Sequence, residues 1–344
     1  MGTRPKDART SASWLAGGAE PVAVSLIPDK TSEKASGPRI LAVAPASPAD
    51  SELARAGAER LRELGCVVEF APPRHDAGDH PRSWLAGSDA VRRHELAAAL
   101  AAPCEAVWMV RGGFGSARLL GAEGTPLPTT PRAPLVAFSD GTALLAWASR
   151  VGRPSWSGPP LTQLPRLDTG STERLGAFVR GLAGGLNPRP EPFEALTTLR
   201  AGEAEGPLFP ANLCVLTSLS GTPLAPDLRG AVLALEDTGE APYRVDRMLT
   251  QLAQAGLLDG VRGLVLGDFT TGNADAAALR DGLAAVFHHF VVDWAGPRGV
   301  PVAAGLPFGH GMANAPLPCG RATGFVAQLA VDAQLARLSF REVG

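Results

Sequence analysis

The apolar run Ala106-Val-Trp-Met-Val110 passes straight into Arg111-Gly-Gly-Phe-Gly115 and delivers one hydroxyl, Ser116, to the start of a helical stretch. A strand, a sharp corner and a helix N-terminus in immediate succession restrict the chain to a fold that can seat such corners. Similar units surround this one. Ile40 to Ala44 is a short buried strand ending at Pro45, and Ser47 or Asp50 can cap a helix carrying Leu53, Ala56, Leu61 and Leu64 that Gly65 closes. Val67 to Phe70 is a second strand. After a loop rich in Pro, His and Asp, Gly87-Ser-Asp89 caps a helix through Leu100, and Pro134 to Phe138 is a strand whose Ser139-Asp140 starts a helix through Trp147. Short apolar strands alternating with amphipathic helices predict an α/β fold with a mainly parallel sheet and helices on both faces. In such sheets ligands gather at the carboxyl ends of the strands, where Ser116 is expected.

The second half has its own alternation. A helix is predicted over 212–219, a strand over 230–235, a helix over 243–255, a strand over 263–266 and a helix from an Asp275 cap to Phe290. Two strands of period 2, over 322–329 and 334–340, then predict a mixed, partly antiparallel sheet. The Pro/Gly-rich stretches 152–165 and 184–210, flanking a helix over 171–182, are expected to connect two domains. All three lysines, Lys6, Lys30 and Lys34, precede residue 35, and every later basic residue is arginine. That shift marks residues 1–37 as a disordered tail. The expected division is a nucleophile-bearing domain over 38–165, a connection over 166–206 and a C-terminal α/β domain over 207–344.

With 32 basic and 34 acidic residues the net charge is −2, which supplies no electrostatic reason to bind nucleic acid or an anionic membrane. No apolar run approaches the ~18 residues of a membrane span, and no signal-peptide core follows the first residues, so a cytoplasmic location is expected. The cysteines, Cys66, Cys104, Cys214 and Cys319, are isolated from one another and read as reduced core residues. His288 and His289 lie on one helix without an H-E-x-x-H pattern, and His75, His80 and His94 fall in or beside the polar loop; neither a metal nor a cofactor is expected.

Glycines at 112, 113 and 115 permit positive backbone dihedrals and close approach of a substrate. The N–H groups beyond the turn favour developing negative charge. Read alone, the corner could equally hold a phosphate or nothing. Arg118 stands where a dinucleotide fingerprint needs a small residue, and neither a P-loop nor a G-x-S-x-G elbow is matched. Glu236 follows the apolar strand Ala231 to Leu235, and His310 lies between glycines in Phe308-Gly-His-Gly-Met312; each could be an ordinary surface group.

Taken together in chain order, Arg111-Gly-Gly-Phe-Gly-Ser116, Phe138-Ser-Asp-Gly-Thr-Ala-Leu144, Leu235-Glu-Asp-Thr-Gly-Glu240, Tyr243-Arg-Val-Asp-Arg-Met-Leu249, Gly267-Asp-Phe269 and Gly305-Leu-Pro-Phe-Gly-His-Gly311 resemble the LD-carboxypeptidases. These are the muramoyl tetrapeptide carboxypeptidases, a serine peptidase family that also includes the microcin C immunity peptidases. The resemblance runs from about Arg39 to about Phe340. It implies an amidotransferase-like N-terminal domain and a triad of Ser116, His310 and Glu236; the backbone N–H groups of Gly113 and Ala117 in the glycine corner are expected to receive the oxyanion. It also implies removal of terminal D-alanine from peptidoglycan tetrapeptide during cell-wall recycling.

Three positions depart from the family pattern: Trp156-Ser-Gly-Pro159 for His-Gly-Pro, Pro210-Ala-Asn-Leu213 for Gly-Gly-Asn-Leu, and Phe114 for tyrosine. They leave room for a microcin-immunity-type peptidase acting on aminoacyl-nucleotide analogues, with Trp156 as a platform for the base, or for a muropeptide-binding module without catalysis. Trp156 could equally pack between domains. The preferred diamino acid, the residue that binds the substrate carboxylate and the oligomeric state, a homodimer included, stay open at this stage.

Overall fold

The computed structural model describes residues 37–70, 82–121, 126–130, 133–185, 188–270 and 276–343. The expected tail, save its last residue, lies outside them, as do His75, His80 and Asp275. The first layer comprises β1 (Arg39–Val43), α1 (Ser51–Glu63), β2 (Val67–Phe70), α2 (Asp89–Ala101), β3 (Ala106–Met109), α3 (Ser116–Gly121), β4 (Leu135–Ala137), α4 (Thr142–Val151), β5 (Ser155–Ser157) and α5 (Thr169–Ala183). The second comprises β6 (Phe193–Arg200), β7 (Gly202–Gly206), β8 (Leu208–Asn212), α6 (Leu213–Leu219), β9 (Val232–Thr238), α7 (Pro242–Gln254), β10 (Gly263–Thr270) and α8 (Ala276–Phe290). After β11 (Val302–Ala304), β12 (Leu317–Cys319) returns to the first layer, and β13 (Phe325–Val331) and β14 (Ala336–Glu342) complete the second.

Local chemistry accounts for the helix starts. Asp50 accepts hydrogen bonds from the N–H groups of Glu52 and Leu53, Ser88 from Val91, Asp168 from Ser171 and Asn212 from Val215, satisfying donors that a helix N-terminus leaves unpaired. One six-stranded sheet runs β12-β5-β4-β3-β1-β2, parallel except for β12. The other has eight strands, β7-β13-β14-β6-β11-β10-β9-β8, parallel across β11 to β8 and antiparallel elsewhere. The α/β class with a parallel N-terminal sheet and a mixed C-terminal sheet is what the periodicities predict.

Two expectations about connections differ from the structure. The stretch 152–165 carries β5 and a 3₁₀ turn (Leu161–Arg166) inside the first layer, and 184–210 supplies β6, β7 and most of β8. Proline and glycine disguised these strands. Pro210 in β8 and Pro318 in β12 occupy sheet edges, where no ladder donor is needed. The chain also crosses back, since β12 follows His310 yet completes the first sheet against β5. Cys66 and Cys319 are buried, and burial pushes both thiols up to about 12; Cys214 is exposed, contrary to the expectation that it is a core residue.

Three apolar clusters hold the layers together. Trp108, Trp156 and Phe178 form one beneath the first sheet, with Trp156 only 1% exposed and its ring 5.0 Å from Phe178. Trp156 is therefore a packing residue, not a platform for a nucleotide base. A second cluster runs unbroken from Met109 and Leu145 to Phe209, Leu213 and Leu235, joining the two layers through α4 and α6. The third places Phe138 of the first layer against Phe308 of the second, ring centroids 5.8 Å apart. Helix α1 docks on the 3₁₀ turn so closely that a Cβ on Gly57 would lie 1.9 Å from the Leu161 carbonyl oxygen. Gly57→Ala should therefore lower unfolding free energy by ~2 kcal/mol or more, as overpacked cores do. Urea denaturation checks this, and an unchanged midpoint would contradict the packing.

Candidate active site

Glu236 stands near the carboxyl end of β9 with no exposed surface. A carboxylate buried so completely needs partners. Asn212, the cap of α6, donates from Nδ2 to Glu236 Oε1 and to Asp237 Oδ1, each at 3.0 Å. His310 takes the other oxygen, its Nδ1 2.7 Å from Glu236 Oε2. Because an ionised carboxylate only accepts, Nδ1 carries the proton and Nε2 presents a lone pair. Burial pushes the Glu236 carboxyl above its usual range, against the bonds from His310 and Asn212. Burial alone would lower the imidazole pKa, but the hydrogen bond to Glu236 and the charges of Glu236, Asp237 and Asp268 outweigh it and hold His310 above its ordinary 6.5.

The far side of the imidazole meets a serine. His310 Nε2 lies 3.0 Å from Ser139 Oγ, within the range for proton transfer. Ser139 sits between β4 and α4, opens the short 3₁₀ turn Ser139–Gly141 and has φ +59°, a conformation uncommon outside glycine and typical of strained functional corners. It is partly exposed, as is the imidazole, whereas Glu236 is sealed beneath them. Gly112 backs this corner: a Cβ there would lie 2.9 Å from Ser139 Cβ and 3.0 Å from its Oγ.

Ser116 does not meet His310 in this way. It is fully buried, and its Oγ has no well-formed hydrogen-bond partner among the described residues, the Asp140 carboxylate lying close by. Its backbone N–H donates to Asp140 Oδ2 at 2.8 Å, and the Gly115 N–H and the nearby Ser116 hydroxyl also favour the ionised Asp140. Burial nonetheless holds that carboxyl above its usual value. The α3 terminus expected to receive a substrate oxyanion thus already faces a carboxylate of the protein. The Ser116 and Gly115 N–H groups are the ones engaged; Ala117, expected as an oxyanion donor, follows them on α3. Gly113, with φ +105°, packs against Ser47, whose hydroxyl accepts the Phe114 N–H at 3.1 Å. Among the described residues neither the Gly113 nor the Asp140 N–H donates to a carbonyl outside its own helix or strand.

The structure therefore joins Glu236 and His310 as expected but sets Ser139 where Ser116 was anticipated. A signal for Ser139 was present: an apolar strand, one serine and a helix start, as at Ser116 but with a single glycine. Asn212 and Asp268 stand in segments that the sequence marks out, but neither residue's role is legible there. Cavity size does not locate the site. A cavity of about 730 Å³ lies at the opposite ends of β9 and β10, against Gly230 and Val261. Among the described residues no group of three or more His, Cys, Asp or Glu is placed to hold a metal ion.

Comparison with known proteins decides the family. The LD-carboxypeptidase N-terminal domain matches residues 40–158, and the C-terminal domain of the same family matches residues 205–324. The chain belongs to the LD-carboxypeptidase family. The murein tetrapeptide carboxypeptidase of Pseudomonas aeruginosa is 31% identical over 295 residues, covering 82% of this chain and 91% of that protein. Among solved structures, muramoyltetrapeptide carboxypeptidase from Oxalobacter formigenes aligns with a TM-score of 0.71 at 26% identity, covering 88% of this chain and all of that one. The microcin C7 self-immunity protein MccF, in complex with aspartyl sulfamoyl adenosine, shares the fold with a TM-score of 0.71 at 18% identity, over 90% and 97% of the two chains. This LD-carboxypeptidase family member is accordingly a peptidase.

The Asn212 bridge yields a stability test. Asn212→Leu strips a shared donor from two buried carboxylates and should cost ~2 to 4 kcal/mol at neutral pH. Both carboxyl groups are held above their usual range, so the deficit should shrink as pH falls and they take up protons. Denaturant titrations at several pH values measure it, and a deficit that grew on acidification would refute the bridge.

Proposed function

We propose that this protein is a serine-type LD-carboxypeptidase that removes terminal D-alanine from peptidoglycan tetrapeptide, with Ser139 as nucleophile, His310 as base and Glu236 orienting the imidazole. The observation that carries the reading is the imidazole bridge, Nδ1 to Glu236 at 2.7 Å and Nε2 to Ser139 at 3.0 Å. Ser139 replaces the Ser116 suggested by the family resemblance. The reaction runs by addition and elimination. Ser139 Oγ attacks the carbonyl carbon of the amide while its proton passes to His310 Nε2, and the buried Glu236 stabilises the imidazolium that forms. The N–H groups of Gly113 and Asp140 receive the oxyanion, worth on the order of 10²- to 10³-fold each in such sites. As the C–N bond breaks, His310 returns the proton to the leaving amine of D-alanine. Water, deprotonated by the same imidazole, then hydrolyses the ester, restoring Ser139 and releasing the shortened peptide.

The substrate class rests on the murein tetrapeptide carboxypeptidase relative and on the neighbouring muramoyltetrapeptide carboxypeptidase structure. A role in cell-wall recycling in the cytoplasm fits this reading; no described helix is long and apolar enough to cross a membrane. The aminoacyl-nucleotide alternative keeps the support of the MccF fold, but loses its proposed base platform to the core.

Ser139→Ala should abolish release of D-alanine from muropeptide tetrapeptide, falling by a factor on the order of 10⁴ or more. Ser116→Ala should stay within about tenfold of the parent, because the His310 imidazole is bonded to Glu236 and Ser139 and not to the Ser116 hydroxyl. Mass spectrometry of the reaction reads both, and the reverse ranking would reject Ser139. The pH profile supplies a second check. His310 must be neutral to act as base, and its pKa is raised, so kcat/KM should climb with pH through a limb above 6.5. Glu236→Gln should lower the rate and move that limb to lower pH; a limb that moved upward would contradict the pairing.

A further inference from the structure

The two peptide carbonyls that flank His310 share one donor. Gln163 Nε2 lies 2.9 Å from the Gly309 oxygen and 2.9 Å from the Gly311 oxygen. A side-chain amide nitrogen has two hydrogens, and both are spent on this loop. The opposite end of the amide is fixed as well, since Gln163 Oε1 accepts from Asn314 Nδ2 at 2.8 Å, while the Asn314 backbone N–H donates to Ser171 Oγ at 3.0 Å. Gln163 is 3% exposed and Asn314 fully buried, so neither amide has water as a ready substitute partner.

Gln163 belongs to the first layer, on the 3₁₀ turn Leu161–Arg166, while the loop it holds follows the second layer's β11. Its neighbour Thr162 donates from both N–H and Oγ1 to the Val110 carbonyl, at the end of the strand that leads to Gly112 and so to the back of Ser139. From the second layer the Asp268 N–H donates to the Phe308 oxygen at 2.8 Å, and the Gly311 N–H donates to the Asp268 carboxylate. The loop is pinned between a first-layer amide and a second-layer strand end. The first of these anchors, with the Asp168 N–H that donates to the Met312 oxygen at 2.9 Å and the Phe138 ring 4.8 Å from the imidazole, refers His310 to the layer that carries the serine.

We infer that Gln163 is a positioning residue: by holding the Gly309 and Gly311 carbonyls together it sets the reach of His310 Nε2 to Ser139 across the boundary between the layers. The inference rests on the assignment of Ser139 and His310, but not on the identity of the substrate. A misplacement of about 1 Å in such a pair can cost on the order of 10²-fold in rate.

The test uses the full chain and a fluorophosphonate probe, which labels only an activated serine. Gln163→Met keeps length and volume but removes both donors. Its labelling rate constant should fall by about 10- to 100-fold, with the fraction of molecules finally labelled near that of the parent. On tetrapeptide, kcat should drop with KM little changed. A purely structural role would do the converse, lowering the labelled fraction and the thermal midpoint while leaving the rate constant intact, and that result would overturn the inference. So would a rate constant within about twofold of the parent in folded protein. Should Gln163→Met not fold, Gln163→Glu, whose buried carboxyl can donate to at most one of the two carbonyls, is read in the same way. A parent protein that took no label would overturn this inference together with the nucleophile assignment, whereas labelling without tetrapeptide cleavage would count against the substrate alone.

Discussion

A carboxylate sealed at the end of β9 organises the site. Glu236 has no exposed surface, and an ionised group so placed costs several kcal/mol unless it is fully hydrogen-bonded. Both of its oxygens are met, one by the Asn212 amide and one by the His310 imidazole. Each partner brings a structural obligation with it. Asn212 must sit at the β8–α6 junction, where its own oxygen caps the helix and its N–H reaches Thr142 of the first layer at 3.0 Å. His310 must be carried on a loop short of side chains, and Gly309 and Gly311 are glycines because a Cβ at either would lie 2.5 or 2.7 Å from an atom of Asp268.

The serine corner is shaped from the opposite side. Ser139 sits at positive φ between a strand and a helix, and Gly112 clears the space behind it. The carboxylate that follows, Asp140, turns inward to cap α3 and so ties the glycine corner to the serine corner. The two corners that look alike in sequence are therefore unequal partners. One displays a hydroxyl, and the other supports it.

That inequality explains what could and could not be read from the chain. Period and capping residues are local properties, so α1 with its Asp50 cap, α2 with Ser88, and the strand leading to Glu236 were legible. Glu236 and His310 were also found, each carried by a family motif. Ser116 is where the resemblance points and three glycines advertise close backbone approach, yet which side chain that approach serves is a tertiary fact: Gly112 makes room for Ser139, and Gly115 for Leu85 and Arg92. Strands β5, β8 and β12 were hidden by the prolines and glycines that suit short or edge strands. Gln163 gave no signal at all, since its two acceptors are backbone atoms about 150 positions away.

The central claim is that His310 activates Ser139 rather than Ser116, and covalent trapping reads it directly. After reaction with a fluorophosphonate and trypsin digestion, Ser116 falls in the peptide of residues 112–118 and Ser139 in that of residues 133–150. Fragmentation by tandem mass spectrometry should place the adduct on Ser139, and not on Ser149 of the same peptide. An adduct on Ser116 would contradict the account and return the nucleophile to the glycine corner.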